Sequence, residues 1–143
     1  MKGAFAGILS CLLFTVLGLL SIILVSCHPH CRKNERNALL SFKNSLNDSM
    51  NSLSSWEGHD CSQWNEIECD RVTGSITRMN MRGMQVQVLA DSIHPSLWEL
   101  RNLKHLDLCF NNFSGFIIPA ELGLFGKLIY LNLSYSGFVG LVP

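Results

Sequence analysis

LKHLDLCFNNFSG at 103–115 and LIYLNLSYSGFVG at 128–140 are two versions of one pattern. Leu103, Leu106, Leu108, Phe113 and Gly115 return 25 residues later as Leu128, Leu131, Leu133, Phe138 and Gly140. A recurrence in register over five positions marks a chain built from stacked, equivalent coils. Each L-x-x-L-x-L core reads as a short strand, its leucines pointing into the coil and the residues between them pointing out. The glycine suits backbone conformations that other residues resist. Asn111 takes the position where a buried amide satisfies backbone groups of the turn, and Ser136 stands there in the next coil as a weaker substitute.

This spacing is that of a leucine-rich repeat. The expected fold is an α/β-type leucine-rich-repeat solenoid of very few repeats, with short parallel strands on the concave face and a helical, disulfide-stabilised N-terminal cap. ITRMNM at 76–81 reads as the first strand, with Ile76, Met79 and Met81 in the places of Leu103, Leu106 and Leu108. IHPSLWEL at 93–100 precedes IPAELGLF at 118–125 by the same 25 residues. Gly115 to Pro119 is one residue longer than Gly140 to Pro143, which fits an insertion on the convex side. The domain expectation is a signal peptide or uncleaved anchor at 1–27, a cap at 28–75, and about 2.5 repeats at 76–143 with the last one incomplete. A final strand at 128–133 would present an unpaired edge. The expectation is therefore a fragment or truncated product, or a chain that completes itself on a partner.

Lys2 precedes an uncharged run from Ala4 to Val25, which reads as a secretory leader with small residues near the cut at Ser26 or Cys27. The same run is long enough to span a membrane, and the charges flanking it do not fix an orientation. Formal net charge is zero with Lys and Arg scattered, so the basic stripe of a nucleic-acid binder is missing. Asn47, Asn112 and Asn132 each open an N-x-S acceptor triplet for glycosylation. Cys31, Cys61 and Cys69 cluster ahead of the repeats, where a disulfide cap belongs.

Within the cap, 34–47 carries Ala38, Leu39, Phe42 and Leu46 at helical spacing, with Asn34 as N-cap and Glu35 favourable in the first turn. Trp56 and Trp64 flank Cys61 and suggest a small core sealed by aromatics. The series from Cys31 through the helix, LSSW, DCSQW, I-x-C-D and TGSI resembles the N-terminal cap of plant leucine-rich-repeat receptor-like proteins. HLDLCFNNFSGFIIPAELG and YLNLSYSGFVGLVP resemble the plant repeat L-x-x-L-x-L-x-x-N-x-F-x-G-x-I-P. The resemblance covers residues 31 to 143.

The departures from that family are informative. Its two adjacent cysteines are Cys61 and Ser62 here, and its glycine after the tryptophan is Glu66. The resemblance implies a Cys31–Cys61 bridge and a Cys69 whose partner position holds Ser62. A Cys61–Cys69 bridge, closing a shorter loop, is the rival. Cys109 sits where the repeat usually has serine, as a free thiol near the concave face or a partner for another chain.

By strand register the outward residues are Thr77, Arg78 and Asn80, then Lys104, His105, Asp107 and Cys109, then Ile129, Tyr130, Asn132 and Ser134. The candidate concave binding face is Arg78, Asn80, Lys104, His105, Asp107, Tyr130 and Asn132, in which Tyr130, His105 and Arg78 are the hot-spot types. CHPHC at 27–31 is too compact to surround one ion, so no metal and no cofactor are expected. Nucleophile-elbow, phosphate-loop and zinc-protease motifs are missing, and no second acid partners Asp107, so no enzyme is expected.

The resemblance implies an extracellular module that recognises a peptide or protein ligand in defence or developmental signalling, with a possible co-receptor kinase. Membrane contact would come only through an uncleaved N-terminal segment or a missing C-terminal span. Two other readings are a short secreted inhibitor of the polygalacturonase-inhibitor type and a membrane-tethered interaction peptide.

Overall fold

The computed structural model describes residues 30–143, so the leader or anchor reading of 1–27 lies outside the described residues. The chain opens with helix α1 (Lys33–Asn44), which buries Ala38, Leu39 and Phe42. Its start differs from the sequence expectation. The N-cap is Arg32, without a side-chain cap bond, and the Arg32 N–H donates to the Gly74 carbonyl at 3.0 Å. Tertiary docking, not Asn34, therefore fixes where the helix begins. Glu35 is buried and accepts the Ile76 N–H at 2.6 Å, so a first-turn acid becomes the clasp between cap and first coil.

After α1 the chain makes strand β1 (Leu46–Asn47) and a turn organised by Asp48, whose carboxylate accepts the Ser52 and Leu53 N–H groups at 2.8 and 2.7 Å. Trp56 and Trp64 stack at 5.7 Å between centroids and 12° between planes. Each indole N–H finds a backbone carbonyl, that of Asn65 for Trp56 and that of Glu57 for Trp64. The Lys43 ammonium ties the same region to α1 by donating to the Leu53 and Trp56 carbonyls.

Strand β2 (Ile67–Cys69) then pairs antiparallel with β3 (Ile76–Asn80). This cap hairpin was not foreseen from the leucine pattern. Its connection is shaped by Asp70, which accepts from the Val72 and Thr73 N–H groups and the Thr73 hydroxyl. The remaining strands of the sheet are parallel: β3 to β5 (His105–Asp107), and β5 to β6 (Tyr130–Asn132). Met79, Leu106 and Leu131 lie in one row across it, with Arg78, His105 and Tyr130 in the row before and Asn80, Asp107 and Asn132 in the row after. A two-residue strand β4 (Gln87–Val88) pairs with β1 to start a second, smaller sheet on the flank, and 3-10 turns at Pro95–Glu99 and Ala120–Leu124 close the convex side.

The core runs unbroken from cap to coils. Leu39, Phe42, Leu53, Ile76, Met79, Met81, Leu97, Leu103, Leu106 and Phe113 are all fully buried. Asn111 turns its amide inward and donates to the Met81, Leu108 and Cys109 carbonyls while accepting the Val86 N–H at 3.1 Å. One side chain thus satisfies four backbone groups of two successive coils. Ser136 does part of this work: its hydroxyl donates to the Leu108 and Ser134 carbonyls. The N–H of Phe113, which stands where Val86 stands one coil earlier, turns to the Ser136 backbone carbonyl instead.

Candidate binding face

Strand alternation sets Glu68, Arg78, His105 and Tyr130 side by side on the outer face, one from each strand of the main sheet. Arg78 Nε lies 3.6 Å from the Glu68 carboxylate. The His105 and Tyr130 rings stack at 4.0 Å and 4°. Burial, followed by the nearby Arg78 charge, holds the His105 imidazole below its ordinary pKa against the opposite pull of Asp107 and Glu68. The ring pair is therefore a neutral, flat platform beside a guanidinium, a combination suited to aromatic, apolar and hydrogen-bonding partners alike.

Asp107 departs from its sequence assignment as a contact residue. Its register is outward, yet it is only 4% exposed, because Tyr130 and Asn132 close over it. Its carboxylate accepts the Tyr130 hydroxyl and the Asn132 amide at 3.3 Å each, and the Cys109 N–H at 3.0 Å. Burial works to raise its pKa, and these bonds outweigh it and keep the carboxylate below its ordinary range. Asp107 thus lies beneath the face and holds Tyr130 and Asn132 in place. Asn80 and Asn132 are half-buried beside it, and Lys104 is exposed at the start of β5.

Cys109 is a free thiol, as one of its two sequence readings had it, but it is not on the outer face. Strand alternation ends at Leu108, and Phe110 adopts a left-handed conformation at φ 56°, so Cys109 folds inward and is fully buried. It is a free thiol, raised by burial and by Asp107, and it is not presented to another chain.

The same turn creates a feature that the sequence reading missed. Gly83, Phe110 and Tyr135 occupy equivalent positions in three coils and share positive φ values of 68°, 56° and 52°. Phe110 and Tyr135 stack at 4.8 Å, and the Arg82 guanidinium sits 5.4 Å from the Phe110 ring centre. Both rings are exposed. The recurrence of an aromatic at 110 and 135 was the available signal.

In the cap, Cys31 and Cys61 form a disulfide with 5.4 Å between their Cα atoms. Cys69 is free, and burial, with Asp60 and Glu35 nearby, pushes its thiol up to about 11. The three sulfurs lie within 4.8 Å of one another, and two of them are consumed by the bridge. Asp60 anchors this end: it accepts from His30 Nδ1, the Cys31 N–H and the Ser62 N–H and hydroxyl. Burial works to raise its pKa, but those bonds prevail and hold it well below the usual carboxylate range. Of the three glycosylation triplets, Asn47 and Asn112 are exposed, and Asn132 is half-buried with its amide committed to Asp107 and Ser134.

Comparison with known proteins matches this architecture. Residues 32–70 match the leucine rich repeat N-terminal domain, and residues 102–124 match the leucine rich repeat. Receptor-like protein EIX2 of Solanum lycopersicum is 38% identical over 122 residues, covering 79% of this chain and 12% of its own length. Receptor-like protein Cf-9 of Solanum pimpinellifolium is 35% identical over 87% of this chain and 17% of its own length. The chain thus spans less than a fifth of either relative.

Among solved structures, the BIR2 ectodomain of Arabidopsis thaliana superposes with a TM-score of 0.66 at 28% identity, covering 79% of this chain and 60% of that one. The Arabidopsis receptor kinase HAESA, in complex with the peptide hormone IDA and the co-receptor SERK1, gives a TM-score of 0.65 at 26% identity, covering 78% and 19%. Among the described residues, no helix is long and apolar enough to cross a membrane. With a matched cap, a matched repeat and this run of relatives, the chain belongs to the plant leucine-rich-repeat receptor-like proteins and carries their type of N-terminal cap and first repeats.

Proposed function

We propose that this chain is an extracellular recognition module that binds a peptide or protein segment across the concave face of a plant receptor-like protein, in defence or developmental signalling. The observation that carries this reading is the ordered row Arg78–His105–Tyr130, with its stacked ring pair held in place from below by a buried Asp107. A side chain fixed by packing and hydrogen bonding loses little entropy when it meets a partner. The peptide-hormone and co-receptor complexes of HAESA support a similar use here, with a co-receptor kinase as a second partner. The activity is binding, not catalysis, and the compartment is the cell exterior or the outer face of the plasma membrane. The Cys31–Cys61 bridge and the exposed Asn47 and Asn112 triplets support that placement, with glycans at these two positions and Asn132 kept bare.

The test is selection of displayed random dodecapeptides on the secreted chain. Selected peptides are expected to lose at least tenfold in affinity on Tyr130→Ala or Arg78→Ala, and to ignore Glu121→Ala on the convex side. Equal loss from the convex substitution overturns the reading.

A further inference from the structure

A cleft of about 290 Å³ opens where the cap meets the first two coils, at the strand-entry edge of the concave sheet. Three cations line it, Arg32, Lys104 and Lys127, against one carboxylate, Asp70. In a chain with zero formal net charge this is a local concentration of positive charge. None of the three cations forms an ion pair among the described residues. Asp70, held by the Val72 and Thr73 N–H groups and the Thr73 hydroxyl, offsets part of this charge and is attracted to Lys104, which leaves the cleft with two cations in excess.

The cleft is also braced. Arg32 Nε donates to the Thr73 carbonyl at 3.1 Å, and the outer guanidinium nitrogens take no partner among the described residues. Lys127 donates to the Asn102 side-chain carbonyl at 2.7 Å, and the Asn102 amide donates to the Ser75 hydroxyl at 3.2 Å. This chain of bonds holds one ammonium from the second coil over the cap hairpin. Lys104 immediately precedes His105, so the cleft runs directly into the Arg78–His105–Tyr130 row.

We infer that this cleft is a subsite for a carboxylate of an acidic peptide, whose following residues lie on the His105–Tyr130 platform. The inference rests on the concave face being a peptide face. The three cations line a single cleft. A polyuronate carries a carboxylate on every sugar and would need a repeated free cation, whereas the neighbouring row offers the His105–Tyr130 rings and one guanidinium, Arg78, that already faces Glu68. A peptide with one acidic group followed by mixed side chains fits the sequence cation cleft, then platform. Converging Arg and Lys donors with adjacent hydroxyls are the usual recognition chemistry for a carboxylate.

The test uses the isotope-labelled, secreted full chain, titrated with blocked tetraglutamate, blocked tetraglutamine and a tetragalacturonate, and followed by amide chemical shifts. Tetraglutamate is expected to shift the Thr73, Ser75, Lys104 and Lys127 amides with an affinity at least fivefold above tetraglutamine. That affinity is expected to weaken with added salt. Lys104→Gln combined with Lys127→Gln is expected to lower it at least tenfold. Lys33→Gln combined with Arg101→Gln makes the same charge change outside the cleft and is expected to leave it within twofold.

All four side chains are exposed, so both double variants keep the fold. Equal binding of tetraglutamine, equal loss in the control variant, or tighter binding of tetragalacturonate overturns the assignment. A display-selected peptide that needs Tyr130 but ignores Lys104→Gln with Lys127→Gln sinks the cleft and leaves the concave face standing.

Discussion

At the scale of single residues, Asn111 and Ser136 form an experiment within one molecule. They occupy the same repeat position, and the amide satisfies four backbone groups where the hydroxyl reaches two. Asn111→Ala strands buried carbonyls and the Val86 N–H, and unsatisfied buried groups cost about 1–3 kcal/mol each before relaxation. A net loss of about 2–4 kcal/mol is expected in chemical denaturation. Asn111→Ser should lose roughly half as much, because Ser136 already shows a hydroxyl reaching the equivalent carbonyl. Equal losses for the two substitutions would contradict the ladder role.

His105 offers a second test at this scale. Its folded-state pKa is depressed, first by burial and then by Arg78. The unfolded chain therefore takes up a proton near pH 6.5 more readily than the folded one. Stability rises with pH wherever the unfolded state binds more protons, so His105 makes stability fall as pH drops from about 7 through that window. Partial exposure keeps the effect small. His105→Gln is expected to flatten the slope of denaturation midpoint against pH between about 5 and 7. An unchanged slope removes the imidazole from the account.

Among the elements, the cap was legible in outline and not in detail. Helical spacing picked out Ala38, Leu39, Phe42 and Leu46, and all four are buried, but only the first three lie on α1, since the helix ends at Asn44 and Leu46 falls in β1. The three leucine-pattern strands lie as adjacent rungs because their period encodes stacking directly. What local pattern could not carry was tertiary. The helix is capped at Arg32 because Gly74, more than 40 residues away, accepts the Arg32 N–H. Glu35 faces Ile76 for the same reason, and β2 is too short to announce itself by alternation. On the binding face, Arg78, His105 and Tyr130 could be placed by counting, whereas the burial of Asp107 and Cys109 depended on neighbours one coil away and on the left-handed turn at Phe110.

The cap also carries a vacancy in its bonding that can be filled. Cys69 is free, and the family's second doublet cysteine is Ser62 here. Ser62→Cys is expected to bridge to Cys69, close a short loop and stabilise the cap by about 2 kcal/mol. Denaturation together with thiol counting checks it. Among residues 30–143 the free-thiol count should fall from two, Cys69 and Cys109, to one, that of Cys109, and a rise to three would mean the bridge has not formed.

Across the whole molecule, the solenoid is one-dimensional, so stability should be graded along it. Leu103, Leu106 and Leu108 lie sealed between a coil on either side. Leu128, Leu131 and Leu133, the same pattern one coil on, are only half-buried, and among the described residues β6 pairs with β5 alone. A Leu→Ala change removes transfer energy plus a cavity term, and the second exists only where neighbours enclose the site. Leu106→Ala is therefore expected to cost about 3–5 kcal/mol and Leu131→Ala about 1 kcal/mol. Amide hydrogen exchange on the intact chain should follow the same gradient. Protection should be highest at 76–81 and 105–108 and lowest at 130–133, since local opening is easiest where few apolar contacts resist it. The Tyr130 hydroxyl bond to Asp107 crosses that gradient, tying the looser rung to the firmer one. Tyr130→Phe should therefore speed exchange at 130–133 and leave 76–81 unchanged, and a uniform rise across all rungs would mean that the coils open together.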